Sequence, residues 1–434
     1  MMHEKFHYKS VDDICVRAKE LGVELPMTHD LSILTKSIEV GGSTFENRMA
    51  VHPMEGSDSE LDGTPSDLTL RRYERFVSGG AALIWFESTS IAMEGRSGAH
   101  QLYFDEKTMP AFTKLVEQMK EAGIRENGFA PKVILQLNHS GRYSKSMSSP
   151  SPLIAYHKPI AEKDALLPES CVVTDDYIDR LVEAFGDASL LAEKAGFDGV
   201  DLKACHGYLG NELLSAYTRE GKYGGSFENR TRFLMDCMKA AKAAINPDFI
   251  LSLRLGIYDG LAYPYGFGVK TDGSLEPDMT EPKAILNRLR NEFGVDLINI
   301  TMGIPYTNPH VNRPYDVGNY IPDEHPLEGL GRIAKLTAEV QHACPDIHMI
   351  CSGVSYLREF SPNFAAALLE RGDASIAGFG RMAFANPNFP KQIAAGGIDR
   401  DKVCQTCGQC AKLLRACEKT GCVIRDKEIY KILK

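Results

Sequence analysis

GFDGVDLKACHGYLGNELLSAYTREGKYGGSFENRTRFL, residues 196–234, is the stretch from which the fold can be read. GVDLK (199–203) is a short apolar run. Before it stands YIDRLVEAFGDASLLAEKAG (177–196) and after it NRTRFLMDCMKAAKAA (229–244), each long enough for a crossover helix. A strand between two such helices is one unit of a parallel sheet. Working outward, the alternation recurs at RMAVHP (48–53), ALIWFE (82–87), KVILQL (132–137), FILSLRL (249–255), VDLINI (295–300), HMICS (348–352) and SIAGFG (375–380). Most of these runs are apolar on both faces, as strands covered by helices must be. Eight alternations fit a (β/α)₈ barrel better than two Rossmann halves, and no GxGxxG follows any of the strands.

The 434 residues are 43% hydrophobic and 25% charged, enough for a sizeable core. A net charge of −9 without a Lys/Arg cluster argues against a nucleic-acid partner. No apolar run of about 18 residues predicts a membrane span, and MMHEKFHYKS has no signal-peptide core. Six of the 11 cysteines are scattered without disulfide spacing, which leads to the expectation of a reducing cytoplasm.

Residues 1–40 are expected to form a helical extension, because VDDICVRAKELGV places apolar residues at a helical period. Residues 41–400 make the barrel, with 258–285 a Gly-, Pro- and Tyr-rich loop excursion. Residues 401–434 hold the remaining five cysteines. Cys404, Cys407 and Cys410 form C-x₂-C-x₂-C, and Cys422 follows after eleven residues with Cys417 between. Structural zinc commonly draws on two separated pairs, whereas three thiolates within seven residues wrap one side of a compact cluster. The spacing favours [4Fe–4S], with zinc the alternative.

Barrel chemistry sits at the C-terminal strand ends. His52, Glu87, Gln136 with His139, Lys203 with His206 and Tyr208, Arg254, Thr301, Ser352 and Arg381 all wait there. Each also has a structural reading: Gln136 as a buried amide satisfied by backbone, His206 as a core histidine, Tyr208 as packing, and Lys203 as the ion-pair partner of Asp201 or Glu55.

Residues 196–234 resemble the signature of the Old Yellow Enzyme family of FMN-dependent ene-reductases. FENRMAVHPME (45–55), KVILQLNHSGR (132–142), LSLRLGIYDG (251–260) and IAGFGRMAFANPNFP (376–390) match in the same order. The cysteine stretch resembles the iron–sulfur branch that includes 2,4-dienoyl-CoA reductase and trimethylamine dehydrogenase. Members of that branch usually continue into flavin- and pyridine-nucleotide-binding domains. Since none is visible after Cys422, the cluster is expected to be the electron inlet.

The resemblance implies roles. Gln136 would meet the flavin pyrimidine edge with a donor and an acceptor, and Arg254 would supply positive charge near N1 and O2. Pro53, Met54 and Glu55 would flank the flavin, as would Ser88. Glu55 departs from the family, which more often has a small hydroxyl or thiol there. Ser352, Gly353, Gly380 and Arg381 would take the phosphate. Lys203 and His206 stand where relatives place His with His or Asn on the substrate carbonyl, and Tyr208 would protonate the α-carbon. Tyr306, His310 and Asn312 are expected on the pocket wall. Cys404, Cys407, Cys410 and Cys422 would ligate the cluster.

The activity these residues imply is reduction of the C=C bond of an α,β-unsaturated carbonyl compound, such as a flavone, cinnamate or steroid enone, by hydride from FMN N5. Electrons would come from NADH, NADPH or a partner ferredoxin or flavoprotein. The rivals are an oxidative amine dehydrogenase or demethylase, an electron-transfer flavo-iron–sulfur subunit and a zinc-stabilised barrel enzyme.

Overall fold

A computed structural model describes residues 4–163, 165–317 and 321–433. The chain first forms a two-stranded antiparallel hairpin, β1 (Ile38–Val40) and β2 (Ser43–Phe45). Eight parallel strands follow: β3 (Met49–Val51), β4 (Leu83–Ser90), β5 (Lys132–Asn138), β6 (Gly199–Ala204), β7 (Ile250–Gly256), β8 (Leu297–Thr301), β9 (His348–Cys351) and β10 (Ile376–Phe379). They close in sequence order, with β10 pairing to β3. Every run read as a strand is one, and the architecture is the expected (β/α)₈ barrel. Its strands are buried along nearly their whole length because helices cover the outside and side chains fill the inside.

The hairpin plugs the N-terminal end of the barrel. Val40 and Phe45 pack with inward residues of the strands, among them Ala50, Trp85, Ile134 and Ile350. The hairpin spans the boundary expected at residue 40, and ahead of it, among the described residues, only Val11–Glu20 is an α-helix, opened by a Ser10–Asp13 capping box. Above the apolar floor lies a polar layer in which Asp201 accepts from Trp85 Nε1 at 2.6 Å and from Gln136 Nε2.

At the opposite end, the segment after residue 400 folds over the barrel mouth. Asp426 pairs with Arg71 and Arg75 on the helix Asp67–Ser78, and the Thr420 amide donates to the Gly56 carbonyl at 2.7 Å. Asp316, buried, ties three segments together: it accepts from the Phe6 amide at 2.8 Å, from Arg358 Nη2 at 3.3 Å and from Thr406 Oγ1 at 3.3 Å. Among the described residues no helix is long and apolar enough to cross a membrane.

Candidate active site

One cleft with about 1080 Å³ of open space occupies the C-terminal mouth of the barrel. Pro53, Met54 and Glu55 enter it from the turn after β3. Ser88 enters from β4, where the register against β5 shifts between Phe86 and Thr89. Such a bulge re-aims the side chains beside it. His52 is fixed by two partners: Asn299 Nδ2 donates to its Nδ1 at 3.1 Å, and its Nε2 faces the Cys351 carbonyl at 3.2 Å. Burial and the nearby Arg254 charge hold it neutral. Gly378 makes room for that ring, since a Cβ there would stand 2.1 Å from His52 Nε2.

After β6, His206 and Gly207 both adopt positive φ, 67° and 74°. This left-handed pair turns the chain sharply, so that Tyr208 opens the helix Leu209–Leu214 with its ring in the cleft. Lys203 Nζ donates to Ser88 Oγ at 3.0 Å and lies 3.7 Å from the centroid of the Tyr208 ring. Neither candidate carboxylate claims it, because Asp201 is engaged by Trp85 and Gln136, and Glu55 by Ser97. Burial pushes the Lys203 ammonium down to about 8, against the pull of Cys205 and Glu55. Burial also raises the Glu55 carboxyl, with Lys203 and the Ser97 bond acting the other way.

His206 Nε2 accepts from Asn312 Nδ2 at 3.1 Å and lies 3.3 Å from Thr301 Oγ1. With Nε2 as acceptor, Nδ1 carries the proton. Burial, then Arg254 and Lys203, keep the ring neutral. The Tyr208 hydroxyl meets that of Tyr306 at 3.1 Å, and Tyr306 stacks on Tyr143 at 3.7 Å. Burial, reinforced by Tyr306, holds Tyr208 far above an ordinary phenol.

Of the residues expected to hold a flavin, Gln136 alone does not line the cleft. Its amide turns down into the polar layer toward Asp201, the nearest charged acceptor. Arg254 does face the cleft; it is buried, its Nε has no hydrogen-bond partner among the described residues, and its backbone amide donates to Asp201. Ser352, Gly353, Gly380 and Arg381 cluster at the ends of β9 and β10. Ser352 Oγ donates to the Ile300 carbonyl at 2.9 Å, and Arg381 makes no ion pair among the described residues. A buried guanidinium with an unpaired Nε on one side of the cleft and glycine backbone with a second guanidinium on the other suit an anionic ring edge and a phosphate. The chain therefore fits FMN.

On the far wall, Tyr306 and Asn312 are in place, whereas His310 faces Glu324 at 3.7 Å and lies outside the lining. Two cationic lining residues escaped the sequence reading. Arg313 follows Asn312, and Arg415 ends the helix Gln409–Arg415 of the cysteine segment. Burial, with Arg381 and Arg415 beside it, pushes the Arg313 guanidinium down to about 10. No local pattern in NRPYD or LLRAC signals either placement, since it depends on how the terminal segment crosses the barrel mouth.

Cys404, Cys407, Cys410 and Cys422 line one smaller cavity next to the cleft, and Arg381, Phe384 and Cys410 border both. The amides of Thr406 and Arg425 point at Cys404 Sγ and Cys422 Sγ, each at 3.4 Å. Cys417 does not line this cavity; its Sγ faces the Ser97 carbonyl at 3.7 Å. Among the described residues no group of three or more His, Cys, Asp or Glu side chains is arranged to hold a metal ion.

Residues 34–321 match the model of the NADH:flavin oxidoreductase / NADH oxidase family. The chain is 27% identical over 394 residues to NADH oxidase of Thermoanaerobacter brockii, covering 88% of this chain and 53% of that one. It is 28% identical over 349 residues to NADPH dehydrogenase of Clostridium acetobutylicum, covering 80% and 89%. It spans about half the length of several curated relatives, N,N-dimethylglycine/sarcosine dehydrogenase of Chromohalobacter salexigens among them (24% identical, 87% of this chain and 50% of that one). In fold it is similar to a 2-naphthoyl-CoA reductase complexed with 2-naphthoyl-CoA (TM-score 0.75, 20% identical, 91% of this chain and 57% of the other). It is also similar in fold to morphinone reductase in complex with tetrahydroNAD (TM-score 0.60, 22% identical, 84% and 90%).

Proposed function

The chain belongs to the NADH:flavin oxidoreductase / NADH oxidase family, and on that premise we propose that it is an FMN- and [4Fe–4S]-dependent ene-reductase acting on the C=C bond of an α,β-unsaturated carbonyl compound. The observation that carries this reading is the convergence of Lys203, His206 and Tyr208 on the cleft that also holds Arg254 with its unpaired Nε. FMN, when bound, supplies the hydride for the β-carbon. Arg254 and Arg381 would hold it, through the ring edge and the phosphate respectively.

The protein's own groups do the rest. His206 Nδ1–H and the Lys203 ammonium donate toward the carbonyl oxygen, drawing charge onto it as the C=C bond is attacked. Asn312 fixes the His206 tautomer through Nε2. Tyr208 delivers a proton to the α-carbon, and its raised pKa keeps that proton in place until a strongly basic centre forms. Tyr306, 3.1 Å from the Tyr208 hydroxyl, is placed to return the proton.

An amine dehydrogenase or demethylase fits less well. The tyrosine faces that could embrace a cationic amine are taken, Tyr208 by Lys203 at 3.7 Å and Tyr306 by Arg415 at 5.6 Å.

Residues 401–434 form the proposed cluster-binding segment, with Cys404, Cys407, Cys410 and Cys422 as ligands. Four sulfurs around a cavity suit a multi-iron cluster better than a single zinc, which needs all four about 2.3 Å from one atom. The shared border of cavity and cleft would let a one-electron donor reach the flavin through the cluster, in a reducing cytoplasmic setting. NADH or NADPH remains the direct alternative donor. Anaerobic purification with iron and flavin assays, followed by enone titration of the reduced protein, tests the reading. Reoxidation by an enone supports it; reduced flavin that persists with every enone overturns it.

A further inference from the structure

Lys203 and Glu55 line the same cleft, each within reach of the other's charge, yet among the described residues they make no ion pair. An ammonium and a carboxyl in a partly dry cleft attract strongly, so their separation has to be enforced. Each is held by a serine. Lys203 Nζ donates to Ser88 Oγ at 3.0 Å, and the Glu55 carboxyl is bonded to Ser97 Oγ. Among the described residues no other acid competes for Lys203. Asp201 is engaged by Trp85 and Gln136, and burial pushes the Cys205 thiol up to about 11. The remaining charge that reaches it, Arg254 on β7, is a cation, while His206 is neutral and Tyr208 presents its ring face.

Gln101 links the two serines. It is buried and lies outside the cleft lining. Its Oε1 accepts from the Ser97 amide at 2.6 Å, and its Nε2 donates to the Ser88 carbonyl at 3.0 Å and to Ser88 Oγ at 3.2 Å. The orientation of this side-chain amide is forced, because a backbone N–H only donates and a backbone carbonyl only accepts. The segment that carries Gln101 is itself pinned. The Ser59 amide donates to the His100 carbonyl at 3.1 Å, and His100 Nδ1 donates to the Ser59 carbonyl at 2.7 Å. Arg96 Nη1 donates to the Ala99 carbonyl at 2.9 Å. The turn after β3 that bears Glu55 is thus tied to the loop after β4 that bears Ser97, and Gln101 ties that loop to β4 itself.

We propose that Gln101 is a positioning residue that keeps Glu55 off Lys203, so that the ammonium retains its charge and an N–H for the substrate carbonyl. The use of that N–H rests on the ene-reductase reading; the separation of the two groups does not. An ammonium has three donors, and a carboxylate in contact would claim one of them and cancel the charge that polarises the carbonyl. Without the Gln101 amide, Ser88 and Ser97 lose their common partner and Glu55 closes on Lys203. A residue that only supports the fold would lower activity alike at every pH. Pairing with Glu55 also favours the ammonium form, and so moves the titration of Lys203 to higher pH.

The test compares the FMN-loaded wild type with Gln101→Met, with Ser97→Ala, which frees Glu55 from the other side, and with Gln101→Met combined with Glu55→Gln. In the first two variants kcat/KM for 4-phenylbut-3-en-2-one, measured below the alkaline limb, should fall about 10- to 100-fold, the size of a charged hydrogen bond. The limb itself, near 8 in wild type, should move up by about one unit or more. Adding Glu55→Gln should bring the limb back to about 8 and recover most of the lost rate, which no repair of a loosened fold would do. A second readout needs no turnover: the pH at which Lys203 becomes half-reactive toward acetic anhydride, followed on its peptide by mass spectrometry. That midpoint should rise in Gln101→Met and in Ser97→Ala and return when Glu55→Gln is added. A midpoint that moves in neither variant, or that Glu55→Gln fails to bring back, overturns the role of Gln101 whatever the turnover. If wild type reduces no enone but the midpoint moves as stated, the role of Gln101 stands and ene-reduction falls.

Discussion

The Lys203 ammonium rests on the face of the Tyr208 ring, 3.7 Å from its centroid, so the residue proposed to polarise the carbonyl also holds the residue proposed to protonate the carbon beside it. A cation on an aromatic face is attracted by the ring quadrupole. Ser88 holds the same ammonium from the other side at 3.0 Å. The two groups are therefore expected to act as one unit.

This coupling sets a pH dependence. Burial lowers Lys203 to about 8, below its unfolded value of about 10.4. The folded protein thus binds fewer protons than the unfolded chain between those values, and this residue's contribution makes stability rise as pH rises through that window. Activity runs the other way, because the cation is lost. Enone kcat/KM should fall as pH rises through about 8. A pH profile of Lys203→Met should lack that limb; a limb unchanged in the variant assigns it to another group.

Tyr208→Phe removes the proposed proton donor and leaves the ring under Lys203. Reoxidation of the reduced flavin by an enone should slow by roughly 10²- to 10⁴-fold, the usual weight of a general acid. The rate of flavin reduction should stay within about a factor of two, since that half-reaction does not use the donor. Stopped-flow absorbance of the two half-reactions checks both, and enone turnover at the wild-type rate removes Tyr208 from the mechanism.

Arg254 makes no side-chain ion pair among the described residues, and its Nε is without a hydrogen-bond partner, although the Asp201 charge lies nearby. Replacement by Met should make the flavin harder to reduce, because the reduced form gains negative charge. The loss of one charged interaction, about 1.4 kcal/mol, corresponds to a fall of about 30 mV in a two-electron potential. Spectroelectrochemical titration measures it, and an unchanged or higher potential contradicts the assignment.

Cys422 and Cys417 differ by five positions in the chain but face different surroundings: Cys422 lines the cysteine cavity, and Cys417 faces the Ser97 carbonyl. Cys422→Ser should lose iron or leave an oxygen-labile protein, whereas Cys417→Ser should keep its full iron content. Iron and sulfide assays after anaerobic purification separate the two, and the reverse result reassigns the fourth ligand.

Asp316 accepts hydrogen bonds from Phe6, Arg358 and Thr406 at the junction of the N-terminus, the barrel and the cysteine segment. Asp316→Ala leaves a buried amide and a guanidinium without that acceptor and should destabilise by about 3 kcal/mol. Thermal unfolding reads the loss. Limited proteolysis should show early cleavage on both sides of the barrel, near residue 6 and near residue 406.

Much of the fold is legible in the chain because each strand is locally encoded. A parallel strand buried on both faces must be a short apolar run, and eight such runs separated by helix-length segments leave few alternatives. The strand-end residues could be listed for the same reason. Their partners could not. Gln136 and Asp201 sit on neighbouring strands in register, and closure of the barrel turns the amide toward the carboxylate rather than the cleft. The floor hairpin was hidden because two three-residue strands are too short to display a period.

The sequence by itself determined the barrel, the order of its strands and the two groups of chemistry-bearing residues, KACHGY at the end of the fourth barrel strand and C-x₂-C-x₂-C near the end. Only tertiary structure decided that the cysteine segment crosses the barrel mouth and brings Arg415 over Tyr306, and that Lys203 meets Tyr208 rather than a carboxylate. The reason is physical. Strand identity follows from burial pattern over a few residues, whereas the partner of a buried cation is chosen by whichever groups barrel closure leaves unclaimed.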